Sequence, residues 1–415
     1  MDYDATLIGA GPTGSLLAEM LANEGYDVLM LEEHSEIGVP QHCTGKISAT
    51  ALKELDLKPA GVLQKIRGAT FYSPNAESFK VEKNSTVAYV LDRRIFDKYL
   101  SEKAVKAGAV LIQNARAAGV SISSSCTKVN FICRSKSQNV TSRIVIGSDG
   151  ARSSVARWLG LYSKNHYEMK LGVQKEVVGI EDIEPDIVEL YFGRNYAPGF
   201  FAWIVPMGKE RAKIGLCVDI RLARFAFNYL DKFCKNHPIA SIKLRQSISN
   251  KINAHIIPTG GSLKKTISDG VLVVGDAAGQ VKSTTGGGLY YGMLCSRIAG
   301  KILSMALKTS KKGIIRKETL IEYEKLWRKK LEKEIVFSVK ARAFMDSLTD
   351  EETDYLLKIL REDEPSMNII EAKGNIDWQS SLLSPIVTPL ISKVAKKPKI
   401  LFKLGKNLIM QGRKK

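Results

Sequence analysis

The first apolar stretch, Ala5–Gly9, is short and has the pattern of a strand. It leads into Gly9-Ala10-Gly11-Pro12-Thr13-Gly14, after which Leu16, Leu17, Met20 and Leu21 recur on one helical face. Asp27–Leu31 predicts a second strand, ending at Glu32-Glu33. Two later apolar strands, Ile144-Val145-Ile146 and Val271-Leu272-Val273-Val274, each end in a polar turn: Gly147-Ser148-Asp149-Gly150 and Gly275-Asp276-Ala277-Ala278-Gly279. Gly286-Gly287-Gly288 then precedes a helix expected over Leu289–Leu307. Residues 67–90 and 168–257 alternate instead, as in Glu189-Leu190-Tyr191-Phe192 and Lys213-Ile214-Gly215-Leu216-Cys217-Val218, and predict an antiparallel sheet that roofs a cavity. Residues 317–372 read as helical, and a basic, Leu/Ile-rich tail follows Pro385.

This order predicts an α/β fold with a discontinuous Rossmann-type domain at 1–66, 91–167 and 258–310. The inserted antiparallel sheet at 67–90 and 168–257 is expected to form a substrate domain, and 311–415 a helical C-terminal region with its basic tail.

The glycine turn carries the first chemistry. In a G-x-G-x-x-G turn between strand and helix, one glycine makes the tight turn, one lets backbone approach a pyrophosphate, and one lets helix pack on strand. Gly9, Gly11 and Gly14 occupy those places, and Glu32 follows Gly14 at the distance from which a carboxylate holds ribose hydroxyls. Asp276 falls at the C-terminal edge of a strand, where doubly wound sheets bind ligands, and the glycine triplet before Leu289 offers bare backbone N–H groups. The three segments in this order point to FAD. Between the first two, Leu91-Asp92-Arg93-Arg94-Ile95-Phe96-Asp97 opens a helix and makes Arg93 a candidate cofactor contact.

The chain has 415 residues, enough for a sizeable core without staples, and its 44% hydrophobic and 25% charged residues are ordinary for a globular protein. No uncharged stretch reaches the length of a spanning helix, the longest, Trp378–Ser392, being broken by Pro385 and Pro389, and the acidic Met1-Asp2-Tyr3-Asp4 start is unlike a signal peptide. Six scattered cysteines and five histidines show no metal-binding spacing, so no metal is expected, and most of the thiols are expected to be buried and free. The net charge of +19 favours anionic partners, yet no nucleic-acid motif accompanies it. The charge concentrates in 297–342, with fourteen Lys/Arg against five Glu, and in 391–415, with nine Lys/Arg and no acid. In that tail Val394, Ile400, Leu401, Phe402, Leu404, Leu408 and Ile409 interleave with lysines, the pattern of a basic amphipathic helix for an anionic lipid interface.

These segments resemble the glutathione-reductase-type FAD proteins of the aromatic-hydroxylase group and, within it, the geranylgeranyl reductase family. Pro40-Gln41-His42-Cys43-Thr44-Gly45 resembles the family's cysteine loop, which wraps the flavin. Pro198-Gly199-Phe200-Phe201-Ala202-Trp203-Ile204-Val205-Pro206 resembles its P-x-x-Y-x-W-x-F-P signature, with Phe201 in place of Tyr and Val205 in place of the second Phe. Gly374-Asn375-Ile376-Asp377-Trp378 resembles its C-terminal pattern, and Ser283 stands where a Pro is usual before Thr-Thr-Gly-Gly-Gly. The cysteine loop and C-terminal pattern are closer to the archaeal members, which reduce geranylgeranyl chains of membrane lipids. By this resemblance Gly9, Gly11 and Gly14 hold the pyrophosphate of FAD and Glu32 its ribose. Cys43, Thr44 and Lys46 lie along the flavin, and Arg93 and Ala117 border the phosphate and adenine end. Asp276 sits at the ribityl–phosphate part, and Gly288 and Leu289 at the ring.

The implied reaction is saturation of an isolated alkene by flavin hydride and a proton. Such an alkene is not electrophilic, so proton transfer must lead or be concerted. Phe200, Phe201, Trp203 and Pro206 suit an apolar channel, Phe201 and Trp203 at the reacting centre; Cys43 is a candidate proton donor, redox partner or shape element, and His42 a further proton candidate. No second G-x-G-x-x-G is visible, so electrons are expected from an external donor, NAD(P)H or reduced ferredoxin. The expected location is cytoplasmic and peripheral, at the cytoplasmic membrane face. The competing readings are a flavin monooxygenase of the hydroxylase group and a membrane-surface electron-transfer flavoprotein; the second would normally bring an iron–sulfur cysteine cluster.

Overall fold

The computed structural model describes residues 1–162, 168–249, 251–310, 313–382, 393–394 and 396–409. The chain divides into two compact units. The first comprises Met1–Gln41, Asp92–Glu168 and Pro258–Ile335; the second comprises His42–Leu91, Met169–Ile257 and Val336–Lys415.

The first unit is built on a sheet whose order runs Ile267–Ser268, Val271–Val273, Lys136–Gly147, Tyr3–Ile8, Val28–Leu31, Val110–Ile112. Tyr3–Ile8 pairs in parallel on both sides, with Lys136–Gly147 and with Val28–Leu31. Ala5, Thr6, Leu7 and Ile8 are all buried, so both faces of this strand are covered. Ala115–Ile122 and Thr127–Cys133 extend the sheet as an antiparallel meander off Lys136–Gly147. Helix Pro12–Asn23 packs against Leu289–Thr309 and Arg93–Lys106. A Cβ at Gly300 would come 2.6 Å from the Met20 methyl, so a small residue there lets the two helices approach.

The second unit holds a sheet ordered Ile248–Ser249, Met169–Val178, Arg211–Asp219, Ala202–Pro206, Ile187–Tyr191, Gly68–Tyr72, Ser78–Glu82, with Asn253–Pro258 also paired to Met169–Val178. It is antiparallel, as the alternation predicts, except that Ile187–Tyr191 runs parallel to Gly68–Tyr72. Its two faces separate by strict alternation. Val173, Tyr191, Ala202, Ile204, Ile214, Leu216 and Val218 pack under helix Ala226–Asn236, with Leu230 and Phe233. Val188, Trp203, Val205 and Cys217 point the other way and join Phe200, Phe201 and Met207 in a second cluster.

Three findings differ from the expected boundaries. Lys46–Ser48 and Val62–Ile66 both pair with Ala88–Leu91, so residues 42–66 fall with the large sheet's unit rather than with the glycine turn. Within 168–257 the alternation gives way to helices Ala226–Asn236 and Ala240–Lys243. The helices beyond Val336 form no separate region: Lys170 bridges Asp346 at 2.7 Å, Lys83 donates to the Gly374 carbonyl at 3.0 Å, and Ser48 hydrogen-bonds Asp377.

Candidate active site and family

At the glycine turn each glycine has its own steric reason. Gly9 has φ +98°, and a Cβ there would lie 2.5 Å from the Ser148 carbonyl oxygen. At Gly14 a Cβ would lie 2.1 Å from the Gly9 carbonyl oxygen. At Gly11 a Cβ would meet nothing within 4 Å, which is the room a pyrophosphate needs. Helix Pro12–Asn23 has Gly11 as its cap with no side-chain hydrogen bond and Pro at the first position, so its N-terminal N–H groups stay open to an anion.

The Glu32 carboxylate closes on this turn. It accepts the Ala10 N–H at 3.0 Å and the His34 N–H at 3.1 Å, and meets His34 Nδ1 at 2.7 Å. Asp149 does local work: it accepts from Ser153 Oγ at 2.6 Å and from the Ser154 and Val155 N–H groups, capping the next helix.

Asp276 is half-buried, and the withdrawal of its carboxyl from water pushes it up to about 6 against the opposing pull of Arg93. A Cβ on Gly288 would lie 2.1 Å from Asp276 Oδ1, so only glycine fits opposite that carboxylate. Gly288 stands at the N-terminus of helix Leu289–Thr309 and has no side chain to cap it. Arg93 is held bidentately by Asp97, at 2.6 and 2.8 Å, which orients it beside Asp276. Ala117 lies half-buried on strand Ala115–Ile122, paired with Phe131. A helix N-terminus with no side-chain cap at Gly11, a clear surface there and an acceptor at Glu32 fit a dinucleotide.

The second unit carries the cysteine loop. Cys43 is a free, half-buried thiol whose sulfur accepts the Gly45 N–H at 3.3 Å. Gly45 has φ +78°, and a Cβ there would lie 2.1 Å from the Leu91 carbonyl oxygen, which fixes glycine after Thr44. His42 stacks on His255, ring centroids 4.8 Å apart. Lys46 opens strand Lys46–Ser48.

On the sheet of the same unit, Phe200 stacks on Phe201 at 4.4 Å, and Phe201 meets Trp203 edge-on at 6.2 Å. The Trp203 indole donates to Gln174 Oε1 at 3.3 Å. Arg342 lies over the Phe200 ring at 4.8 Å and is held by Asp346. Pro206 ends the buried strand Ala202–Pro206. The structure thus gathers Phe200, Phe201, Trp203 and the cysteine loop in one unit, and the glycine turn, Glu32, Arg93, Ala117, Asp276, Gly288 and Leu289 in the other.

Residues 2–319 match the family model of the FAD binding domain. The digeranylgeranylglycerophospholipid reductase of Methanocaldococcus jannaschii is 34% identical over 363 residues, 87% of this chain and 91% of that protein. The second such reductase of Methanothermobacter thermautotrophicus is 36% identical over 366 residues, 87% and 92% of the two chains. The chain belongs to the digeranylgeranylglycerophospholipid reductase family. A crystal structure of a geranylgeranyl bacteriochlorophyll reductase-like protein from Thermoplasma acidophilum has the same fold, with TM-score 0.82 and 24% identity over 98% of this chain and 99% of that one.

The family fold leaves some expected sites and some unexpected ones. In the tail, Pro398–Ile409 is helical, but Val394 and Ile400 are buried against Leu348 and Ile359, with Leu401 packed alongside. Val394 and Ile400 thus occupy part of that apolar face, and among the described tail residues Phe402 is a large apolar side chain left outside, 73% exposed. Ile391, Ser392, Ala395 and 410–415 lie outside the described residues. Among the described residues no helix is long and apolar enough to cross a membrane, and no group of side chains could hold a metal ion. Four residues around the cysteine loop and the aromatic strand carry no motif: Gln174, Lys213, Gly215 and His255. Only Lys213 left a signal, a charged residue inside an alternating apolar strand.

Proposed function

We propose that the chain is an FAD-dependent reductase that saturates carbon–carbon double bonds of geranylgeranyl chains in archaeal-type isoprenoid membrane lipids. The observation that carries this reading is the sheet face where Val188, Trp203 and Val205 line up beside Phe200 and Phe201. A branched hydrocarbon needs an apolar, water-poor surface of this kind to be aligned for reaction. When bound, FAD supplies the hydride. The chain's own groups then have three tasks. Glu32, Asp276 and the glycine turns bind and orient the cofactor. Phe200, Phe201 and Trp203 exclude water and hold the alkene. The remaining task is the proton, and Phe201 has no acidic hydrogen to give. Cys43 and His42, neighbours in one loop, are the proton-bearing groups assigned to it.

Electrons come from an external donor, NAD(P)H or reduced ferredoxin. The protein works at the cytoplasmic face of the membrane, held there by basic charge around the exposed Phe402. The experiment is mass spectrometry of digeranylgeranyl lipids after incubation with the reduced holoprotein. A gain of two hydrogens per double bond supports the reading. A gain of oxygen, or no change with either donor, overturns it.

A further inference from the structure

The geometry points to Lys213 as the positioning residue of the cysteine loop, a role that rests on the reductase reading above for its catalytic consequence but not for its structural one. Strand Arg211–Asp219 alternates, and Ala212, Ile214 and Leu216 face helix Ala226–Asn236. Lys213 therefore lies on the opposite face, in register with Val205 and two residues from Gly215, the partner of Trp203. That face of the sheet also carries Trp203, Val205 and Cys217 of the apolar cluster, and Lys213 itself has 0% exposure.

A buried ammonium is costly unless acceptors meet it. Here Nζ donates to the Thr44 carbonyl at 3.1 Å and reaches the Cys43 carbonyl at 3.5 Å. Both acceptors are main-chain atoms of the loop that carries the thiol. The next residue, Gly45, turns with positive φ, where L side chains are strained, and donates its N–H to the Cys43 sulfur at 3.3 Å. One cation thus gathers two successive carbonyls and sets the direction of the thiol between them. The bond from sheet to loop also ties the thiol to the strand pair that carries Trp203. A neutral side chain of equal length would fill the space and release both carbonyls.

The test uses full-length holoprotein carrying Lys213→Met. The first readout is the rate at which N-ethylmaleimide modifies Cys43, followed by peptide mass spectrometry. The second is the split between kcat and KM for geranylgeranyl lipid. We expect flavin absorbance per chain to be retained, the Cys43 alkylation rate to change at least threefold, and kcat to fall about tenfold with KM nearly constant. Lys213→Gln, which keeps an N–H donor, should recover part of the loss. Unchanged alkylation and unchanged kcat in folded Lys213→Met overturn the proposal. If Lys213→Met does not fold, lysine acetylation of the wild-type holoprotein decides: Lys213 must be protected until the protein is denatured, and ready acetylation in the native state overturns the proposal. Should the protein reduce no prenyl lipid, the alkylation rate still tests Lys213, so the two failures are told apart.

Discussion

The indole of Trp203 lies directly over Gly215 on the neighbouring strand: a Cβ on Gly215 would come 2.5 Å from Trp203 Cζ2 and 2.6 Å from the Val173 carbonyl oxygen. The ring fills the space that any other residue at 215 would claim. Gly215→Ala should therefore displace the indole and destabilise the protein by about 1–3 kcal/mol, the ordinary cost of overpacking. Trp203→Ala removes the ring instead, and should impair turnover of long prenyl chains more than it lowers the melting temperature. Thermal melts beside lipid mass spectrometry check both. An equal loss of stability and activity in Trp203→Ala assigns the ring to packing alone.

A second glycine, Gly288, stands against the carboxylate of Asp276. Gly288→Ala puts a methyl 2.1 Å from Asp276 Oδ1, so either the carboxylate or the start of helix Leu289–Thr309 must shift. Both belong to the proposed cofactor surface, and the variant should purify with less than half the flavin absorbance per chain of the wild type. Gly11→Ala meets nothing in the protein itself, so any loss of flavin there reports on the cofactor alone. Full flavin content in Gly288→Ala removes this pair from the cofactor site.

Asp276 also sets a pH dependence in the FAD-free protein. Burial raises its folded pKa to about 6 from 3.8, so its contribution to stability is complete only below 3.8 and is lost as pH rises through about 6. Asp276→Asn is neutral throughout. The variant should therefore gain on the wild type between pH 4 and pH 7, by on the order of 3 kcal/mol at most. Urea unfolding of both apoproteins across that range measures the difference, and a constant offset refutes the assignment.

For the thiol, Cys43→Ala should keep FAD bound and lower alkene reduction on the order of a hundredfold, the scale of a lost general acid. Cys43→Ser separates chemistry from shape, because a hydroxyl still accepts the Gly45 N–H that now meets the sulfur. Recovery in Ser but not in Ala assigns a polar role. Full activity in both leaves Cys43 a loop residue.

How much of this was legible in the chain varies with the range of the interaction. The positions of the glycine turn, Glu32 and Asp276 at strand ends were legible because they are local: strand and turn follow one another within a few residues. The faces of the large sheet were legible too, since alternation assigns Trp203 and Ile204 to opposite sides without further information. What escaped depends on pairing between distant segments. That residues 42–66 fold with the large sheet rests on Ala88–Leu91 pairing with both Lys46–Ser48 and Val62–Ile66. Lys213 meets the cysteine loop from 169 residues away, and no local pattern encodes such a contact.

The tail shows the same limit, and its test follows from the structure. Periodicity marked Pro398–Ile409 as amphipathic and basic but could not say what the apolar face covers. Val394 and Ile400 cover Leu348 and Ile359, so deleting the tail would expose a core and confound any binding measurement. Ile400→Ala should cost roughly 2–5 kcal/mol, as buried large-to-small changes do. The surface left for lipid is Phe402, 73% exposed, with Lys399 and Lys406 also exposed. Lys403 is partly engaged, since it pairs with Glu352. Phe402→Asp, and Lys399→Glu with Lys406→Glu, should therefore weaken sedimentation with anionic liposomes while leaving the melting temperature unchanged. Each cation near the surface contributes about 1 kcal/mol before screening, so the double charge reversal should weaken binding at least tenfold at low salt and less at high salt. Neutral liposomes should bind poorly throughout. Unchanged binding to anionic liposomes in all these variants assigns the tail helix to the fold and not to the membrane.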